Sequence, residues 1–243
     1  MPFLLSPLLD TMIGLYGKPR SMERFHEYLK ILQGNSKDDM LVPVGNFNPM
    51  GKEHVLQKLE ELKKLDAEKL MNDAIAEINS ETGGQPSSGF RVSIAVADDL
   101  HGAWTNRYTT DYDSKFRLNA LVTRNFCTPL FWTSEAFSGE LIRSRTREYC
   151  YRTLHWLTAP KPETLAEHIA QEKFVAGKNV KGEAQECDIE ALELFYKEHK
   201  DSDRYDIIFN FLYGDKACGE LGFPAYGISD AFAGYKYAKP RHS

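Results

Sequence analysis

The sequence predicts an α+β fold that is mostly helical, with a small antiparallel sheet at about residues 90–126 covered by helices. Two observations lead to this prediction. Between residues 92 and 97, large apolar side chains alternate with small ones, and a period of two is typical of a strand. Elsewhere, apolar residues recur at helical spacing in segments bounded by residues that begin and end helices. The small side chains on one strand face indicate that helices pack closely against it.

A second strand is predicted directly after the first. Residues 98–102, with the order Asp98-Asp99-Leu100-His101-Gly102, are typical of a polar turn. The next segment, 104–110, is rich in aromatic and β-branched residues, which favour strands. We therefore expect a β-hairpin with a polar rim at residues 98–113. Residues 116–126 are interpreted as a further strand or an irregular segment, which Pro129 ends.

The chain before this hairpin predicts two αα-hairpins. Helices are expected at about 6–16, 21–33, 52–64 and 66–80, since each has an apolar face and three have a Ser or Asp near the start. A Gly- and Ser-rich stretch at 83–89 is typical of a linker. We therefore predict an N-terminal helical part at 1–84 and an α+β part at 85–243, with one compact domain as the alternative.

Four helices are predicted after the hairpin. A long one begins at about Thr133 and ends near Leu157, and a shorter one follows the capping box formed by Thr164 and Glu167. Asp188 is a typical N-cap for the next. Residues 205–213 are interpreted as a helix, although their apolar pattern also fits a strand.

Composition narrows the class of protein. The formal net charge of −5 argues against non-specific nucleic-acid binding, which needs a basic surface. No apolar run is long enough to cross a membrane, and the N-terminus lacks the positive region of a signal peptide. The four cysteines are widely spaced without a Cys-x-x-Cys pair, which favours a reducing compartment. We expect a soluble, cytoplasmic protein; the oligomeric state is not indicated.

The first candidate site is a small-molecule pocket at the hairpin rim. Aromatic side chains can form its apolar wall, polar groups can orient a ligand, and an arginine suits a carboxylate or phosphate. The predicted ligand-binding residues are Trp104, Asn106, Arg107, Trp132 and Glu135. The alternative interpretation is that the aromatic residues belong to the core.

The second candidate is a divalent-metal site. His168 and Glu172 lie one helical turn apart, so both can face one ion, and these are ligand types that zinc and iron accept. His101 and His155 are further candidate ligands. A bound metal would lower the pKa of a coordinated water and make a hydrolase possible. An ordinary hydrogen-bonded His–Glu pair is the alternative.

The third candidate is nucleophilic catalysis by Cys127, with His101 or His155 as the base that a thiolate requires. A buried cysteine that fills space is the alternative. Taken together, the sequence favours a small-molecule-binding protein or enzyme with its site at residues 98–113. A non-catalytic protein–protein interaction protein and a metal-dependent hydrolase are the competing hypotheses.

Overall fold

The computed structural model describes residues 3–34, 39–44, 47–83, 89–100, 105–179 and 187–240. These residues are mostly helical and include a small sheet. The helices are α1 Leu9–Tyr16, α2 Met22–Gln33, α3 Glu53–Lys64, α4 Ala67–Thr82, α5 Arg107–Phe116, α6 Asn119–Thr123, α7 Gly139–Thr158, α8 Leu165–Lys178, α9 Ile189–His199, α10 Tyr205–Tyr213, α11 Asp215–Glu220 and α12 Ala233–Ala238. The strands are β1 Phe3–Leu5, β2 Phe90–Val92, β3 Ala95–Ala97, β4 Phe126–Cys127 and β5 Leu130–Trp132.

The described strands pair in parallel throughout. β1, β2 and β4 are neighbours in that order, with Val92 opposite Cys127. β3 pairs with β5, with Val96 opposite Phe131. Hydrogen bonds continue between the two sets, because the amide of Ala95 donates to the carbonyl of Pro129 at 3.0 Å. β2 and β3 are therefore successive parts of one extended segment, and so are β4 and β5.

The predicted antiparallel sheet is wrong, and the reason lies in residues 107–116. This segment forms the helix α5 instead of the second strand of a hairpin. Asn106 caps it by accepting a hydrogen bond from the amide of Thr109, and the buried rings of Tyr112 and Phe116 lie one turn apart at 5.1 Å. Because α5 and α6 connect β3 to β4, the chain returns to the same end of the sheet, which gives parallel pairing.

Burial explains the alternation of large and small side chains in the central segment. Every residue from Val92 to Ala97 is at most 1% exposed, so both faces of the sheet are covered. Parallel strands are typically buried on both faces. The predicted strand at 90–97 is therefore confirmed, and only its partner and direction differ.

The chain forms two compact units, Met1–Cys150 and Tyr151–Ser243, and the division falls within α7. All the described strands belong to the first unit. In this unit, β1 precedes the domain boundary predicted at residue 84 and β2 follows it, yet the two strands pair. The boundary stays a prediction. Across the described ranges, no helix combines the length and apolar character needed to span a membrane.

Several helix predictions in the second unit are confirmed. The Thr164 hydroxyl accepts from the Glu167 amide, while the Glu167 carboxylate accepts from the Thr164 amide, which completes the capping box. Asp188 caps α9 through the amide of Ala191. Residues 205–213 form the helix α10, which is buried along most of its length.

Gly214, between α10 and α11, provides a test of this packing. Its φ is +84°, and a Cβ atom there would clash with the carbonyl oxygen of Asp230. We expect Gly214→Ala to lower the free energy of unfolding by about 3 kcal/mol, from left-handed strain together with a backbone clash. Urea denaturation measures this change.

Gly227→Ala is the matched control, because Gly227 has φ +90° and, apart from its two chain neighbours, no described residue has an atom within 4 Å of where its Cβ would be. Left-handed strain alone should cost about 1–2 kcal/mol there. Equal losses for the two variants would show that the close approach of Asp230 does not constrain the α10–α11 junction.

Candidate functional site

The candidate site lies at the carboxyl edge of β3 and β5. Because these strands are parallel, the residues that follow them emerge at the same edge, where ligands bind in open α/β sheets. Asp98 and Asp99 follow β3, whereas Thr133, Ser134 and Glu135 follow β5. The amide of Thr133 donates to the carbonyl of Ala97 at 3.1 Å, so the ladder continues to this edge.

Asp98 is a buried carboxylate, 8% exposed, that holds a histidine. Its Oδ1 atom lies 2.8 Å from His54 Nε2 and accepts hydrogen bonds from Thr133 Oγ1 at 2.7 Å and from the Leu100 amide at 3.3 Å. His54 lies in the first turn of α3, and its side chain is 30% exposed. Since a carboxylate accepts hydrogen bonds, the proton of the neutral imidazole is on Nε2, which leaves Nδ1 as the basic nitrogen.

Asp99 binds both the loop after β5 and the start of α5. Its carboxylate accepts from Arg107 Nη1 at 2.6 Å, from Ser134 Oγ at 2.7 Å and from the Ser134 amide at 3.0 Å. Burial acts to raise the pKa of Asp99, but the hydrogen bonds from Ser134 and Arg107, together with the guanidinium charge, bring that pKa below its usual value. Asp99 is therefore a fixed anion that positions Arg107.

Glu135 lies between two guanidinium groups. Arg107 Nη2 is 3.2 Å from Glu135 Oε1, and Arg145 makes a two-pronged contact with both oxygens of the same carboxylate. The guanidinium carbons lie 5.1 Å from aromatic ring centroids, Arg107 over Trp132 and Arg145 over Phe131. The two arginines thus cover buried rings of β5 while they neutralise Glu135.

One face of α3 completes the cluster. His54, Lys58 and Glu61 recur at positions i, i+4 and i+7 of this helix. Lys58 Nζ donates to the carbonyl of Glu135 at 2.7 Å and to Glu61 Oε2 at 2.8 Å, and the Phe137 amide donates to Glu61 Oε1 at 3.3 Å. This face holds the loops that follow β3 and β5 and presents the His54 imidazole beside them.

Three of the predicted ligand-binding residues come together here. Arg107 and Glu135 form an ion pair, and Trp132 lies beneath Arg107 with 2% of its surface exposed. Asn106 caps α5, since its side chain accepts from the Thr109 amide at 3.0 Å. Trp104 and the predicted catalytic His101 lie outside the described residues.

The other predicted catalytic residues are not members of this cluster. Cys127 is in β4 and 2% exposed. Its thiol neighbours that of Cys150, whose pKa burial raises well above the usual value, with the contact to Cys127 acting in the same direction. His155 is in the second unit, where its Nδ1 atom has no hydrogen-bond partner among the described residues and its ring lies 5.3 Å from that of Phe174.

The predicted metal ligands, His168 and Glu172, are buried side chains of α8. Glu172 accepts from Arg152 through both oxygens, at 2.8 and 2.5 Å, and His168 Nδ1 lies 2.8 Å from the Thr164 carbonyl. The Arg152 guanidinium thus supplies the positive charge beside Glu172. Within the described residues, no group of three or more His, Cys, Asp or Glu side chains is arranged to hold a metal ion.

His54, Thr133 and Ser134 are members of the cluster that the sequence did not predict as site residues. His54 and Asp98 are 44 residues apart, and neither has a local motif that indicates the other. The one signal of a site in the sequence was the pair of carboxylates, Asp98 and Asp99, directly after a strand. Such a pair indicates the carboxyl edge of a sheet once parallel pairing is known. Comparison of the chain with protein-family models, with curated proteins and with solved structures found no match.

The buried pair of Arg152 and Glu172 gives a stability prediction. Both side chains are at most 3% exposed, so Glu172→Gln would remove the negative charge to which Nε and Nη2 of the buried Arg152 donate. We expect the free energy of unfolding to fall by about 3–5 kcal/mol. Asp113→Asn is the matched control, because the Asp113–Arg117 pair is more than half exposed and should change stability by less than about 1 kcal/mol. Similar losses for both variants in urea denaturation would contradict the prediction.

The buried histidines of the second unit give a pH prediction. Burial lowers the pKa of His168 and of His155, and the carboxylate of Glu172 opposes this only in part. The unfolded chain, with histidine pKa values near about 6.5, therefore binds these protons more tightly than the folded chain. We expect stability to be highest above that pH and to fall as the pH decreases below it.

Urea denaturation at pH 7.5 and 5.5 measures this loss. His168→Gln should reduce the difference in the free energy of unfolding between pH 7.5 and pH 5.5, whatever its effect on stability at pH 7.5. His26→Gln, which removes an exposed histidine of α2, is the control and should keep the wild-type difference. If the wild-type chain is more stable at pH 5.5 than at pH 7.5, the change in stability has the opposite sign to that expected for buried neutral histidines, and the prediction is wrong.

Proposed function

We propose that this chain is a cytoplasmic enzyme that binds a small polar molecule at the carboxyl edge of β3 and β5, with His54 as the group that takes and returns a proton. The observation that carries the proposal is the 2.8 Å contact between His54 Nε2 and the buried carboxylate of Asp98. The cytoplasmic location is supported by the cysteine spacing, which is not that of a disulfide framework.

The His54–Asp98 pair has the features of a positioned general base. The carboxylate fixes the tautomer and orientation of the imidazole, and Thr133 Oγ1 fixes the carboxylate in turn. Of the two side chains, Asp98 is buried and His54 is 30% exposed. The positioning residue is thus shielded from water, while the proposed catalytic residue retains access to it.

The partly exposed Arg107 is the proposed ligand-positioning residue. Its side chain is 28% exposed and is held from both sides, by Asp99 and by Glu135, over the ring of Trp132. A guanidinium fixed in this way has a defined orientation, as specific recognition of a polar ligand requires. Within the part of the chain that the structure describes, the interaction-protein and metal-dependent-hydrolase hypotheses have no comparable observation in their support.

Hydrolysis of p-nitrophenyl acetate, an activated ester that accessible histidine bases cleave, tests the proposed base. We expect the wild-type chain to release p-nitrophenol faster than His54→Gln by at least about tenfold, since a positioned base contributes about 10²–10⁴-fold to its own reaction. Asp98→Asn should lose most of the same rate, because an amide neither orients the imidazole in the same way nor stabilises its cation.

His26→Gln is the control, since His26 is an exposed histidine in α2 of the same unit. It should lose only a small part of the wild-type rate, because His26 has no place in the proposed site, and circular dichroism should show all three variants folded. If His54→Gln releases p-nitrophenol as fast as the wild-type chain, His54 is not an accessible base and the proposed mechanism fails.

A further inference from the structure

A groove of about 350 Å³ lies along one face of α9 in the second unit. Four of its lining residues recur at positions i, i+3, i+4 and i+7 of this helix and its C-terminal end, and the fifth belongs to α12; they are Glu193, Tyr196, Lys197, Lys200 and Tyr237. The volume is within the range of small-molecule sites. The groove therefore combines a tyrosine surface with a lysine-rich rim.

The tyrosine surface is fixed by packing. The rings of Tyr196 and Tyr237 are 5.5 Å apart at 38°, and both contact the buried ring of Phe211, at 6.0 and 5.4 Å between centroids. Lys173 of α8 places its ammonium 5.0 Å from the Tyr237 centroid and 5.8 Å from that of Tyr196. Aromatic contacts thus hold both the rings and a cation in place at the groove.

The groove carries more positive than negative charge. Among the described residues that line it, Lys197 and Lys200 supply two ammonium groups and Glu193 supplies one carboxylate. Close by, Lys173 lies over the Tyr237 ring and Asp201 acts on the Tyr196 hydroxyl. This excess contrasts with the net charge of −5 for the whole chain. Lys197 and Lys200 are exposed, so their ammonium groups can reach a ligand.

We propose that this groove binds an organic anion that carries a planar ring, of the nucleoside-monophosphate type. The two tyrosine side chains would contact the apolar face of the ligand's ring, and the lysines at the rim would bind its phosphate. A solvated helix face would require neither the paired rings nor the concentration of lysines. The site is separate from the His54 cluster and does not depend on the function proposed for it.

Calorimetric titration of the full chain tests this site with three probes: adenosine 5′-monophosphate, adenosine and inorganic phosphate. We expect the nucleotide to bind at least tenfold more tightly than either of the other two, because it alone uses both the rings and the lysines. Its affinity should fall as salt is added, since the exposed ammonium groups are screened.

The double variant Lys197→Ala/Lys200→Ala should weaken nucleotide binding at least tenfold. Lys216→Ala, which removes an exposed lysine of α11, is the control and should bind as the wild-type chain does. Three outcomes would each overturn the proposal: no binding of the nucleotide, equal binding of inorganic phosphate, or full affinity in the double variant. Since the substituted lysines are exposed, loss of binding with an unchanged melting temperature is not a folding effect.

Discussion

Parallel pairing of β3 with β5 is the constraint on which the candidate site depends. It brings two loops from distant parts of the chain, 98–99 and 133–135, to one edge of a sheet that is buried on both faces. In an antiparallel pair, the residues after the two strands would emerge at opposite ends. Asp99 would then not meet Ser134, and Arg107 would not meet Glu135. The direction of one pairing, set by the helical connection through α5 and α6, therefore determines whether the charged groups meet at all.

Charge compensation then fixes the loops. Three carboxylates at a sheet edge repel one another, and each is stabilised here by donors from a different element: His54 from α3, Arg107 from α5 and Arg145 from α7. Because these three side chains come from separate helices, loss of any one of the helices would remove a charged or polar partner from a partly buried carboxylate. The cluster consequently couples the position of three helices to the edge of the sheet, and this rigidity is what a functional site requires.

The sequence predicted local features well and the pairing badly. The central strand, the capping box at Thr164 and the helix at 205–213 follow from periodicity and capping within a few residues, and the structure confirms them. The strand predicted at residues 104–110 is wrong. Aromatic and β-branched side chains favour strands, whereas Asn106 and the one-turn spacing of buried rings favour the helix that forms. The proximity of Arg107 and Glu135 was predictable in part, but His54 was not, because nothing local relates α3 to Asp98.

Two acid–base contacts in this chain show why burial, rather than pairing alone, separates a structural contact from a chemical one. Arg152 and Glu172 are both at most 3% exposed, so neither can meet a ligand, and their contact serves the interior of the second unit. His54 and Asp98 are 30% and 8% exposed. Such one-sided burial shields the carboxylate from water while the imidazole remains accessible. Since proton transfer needs both a strong partner and access to the reacting molecule, the second arrangement suits a general base and the first does not.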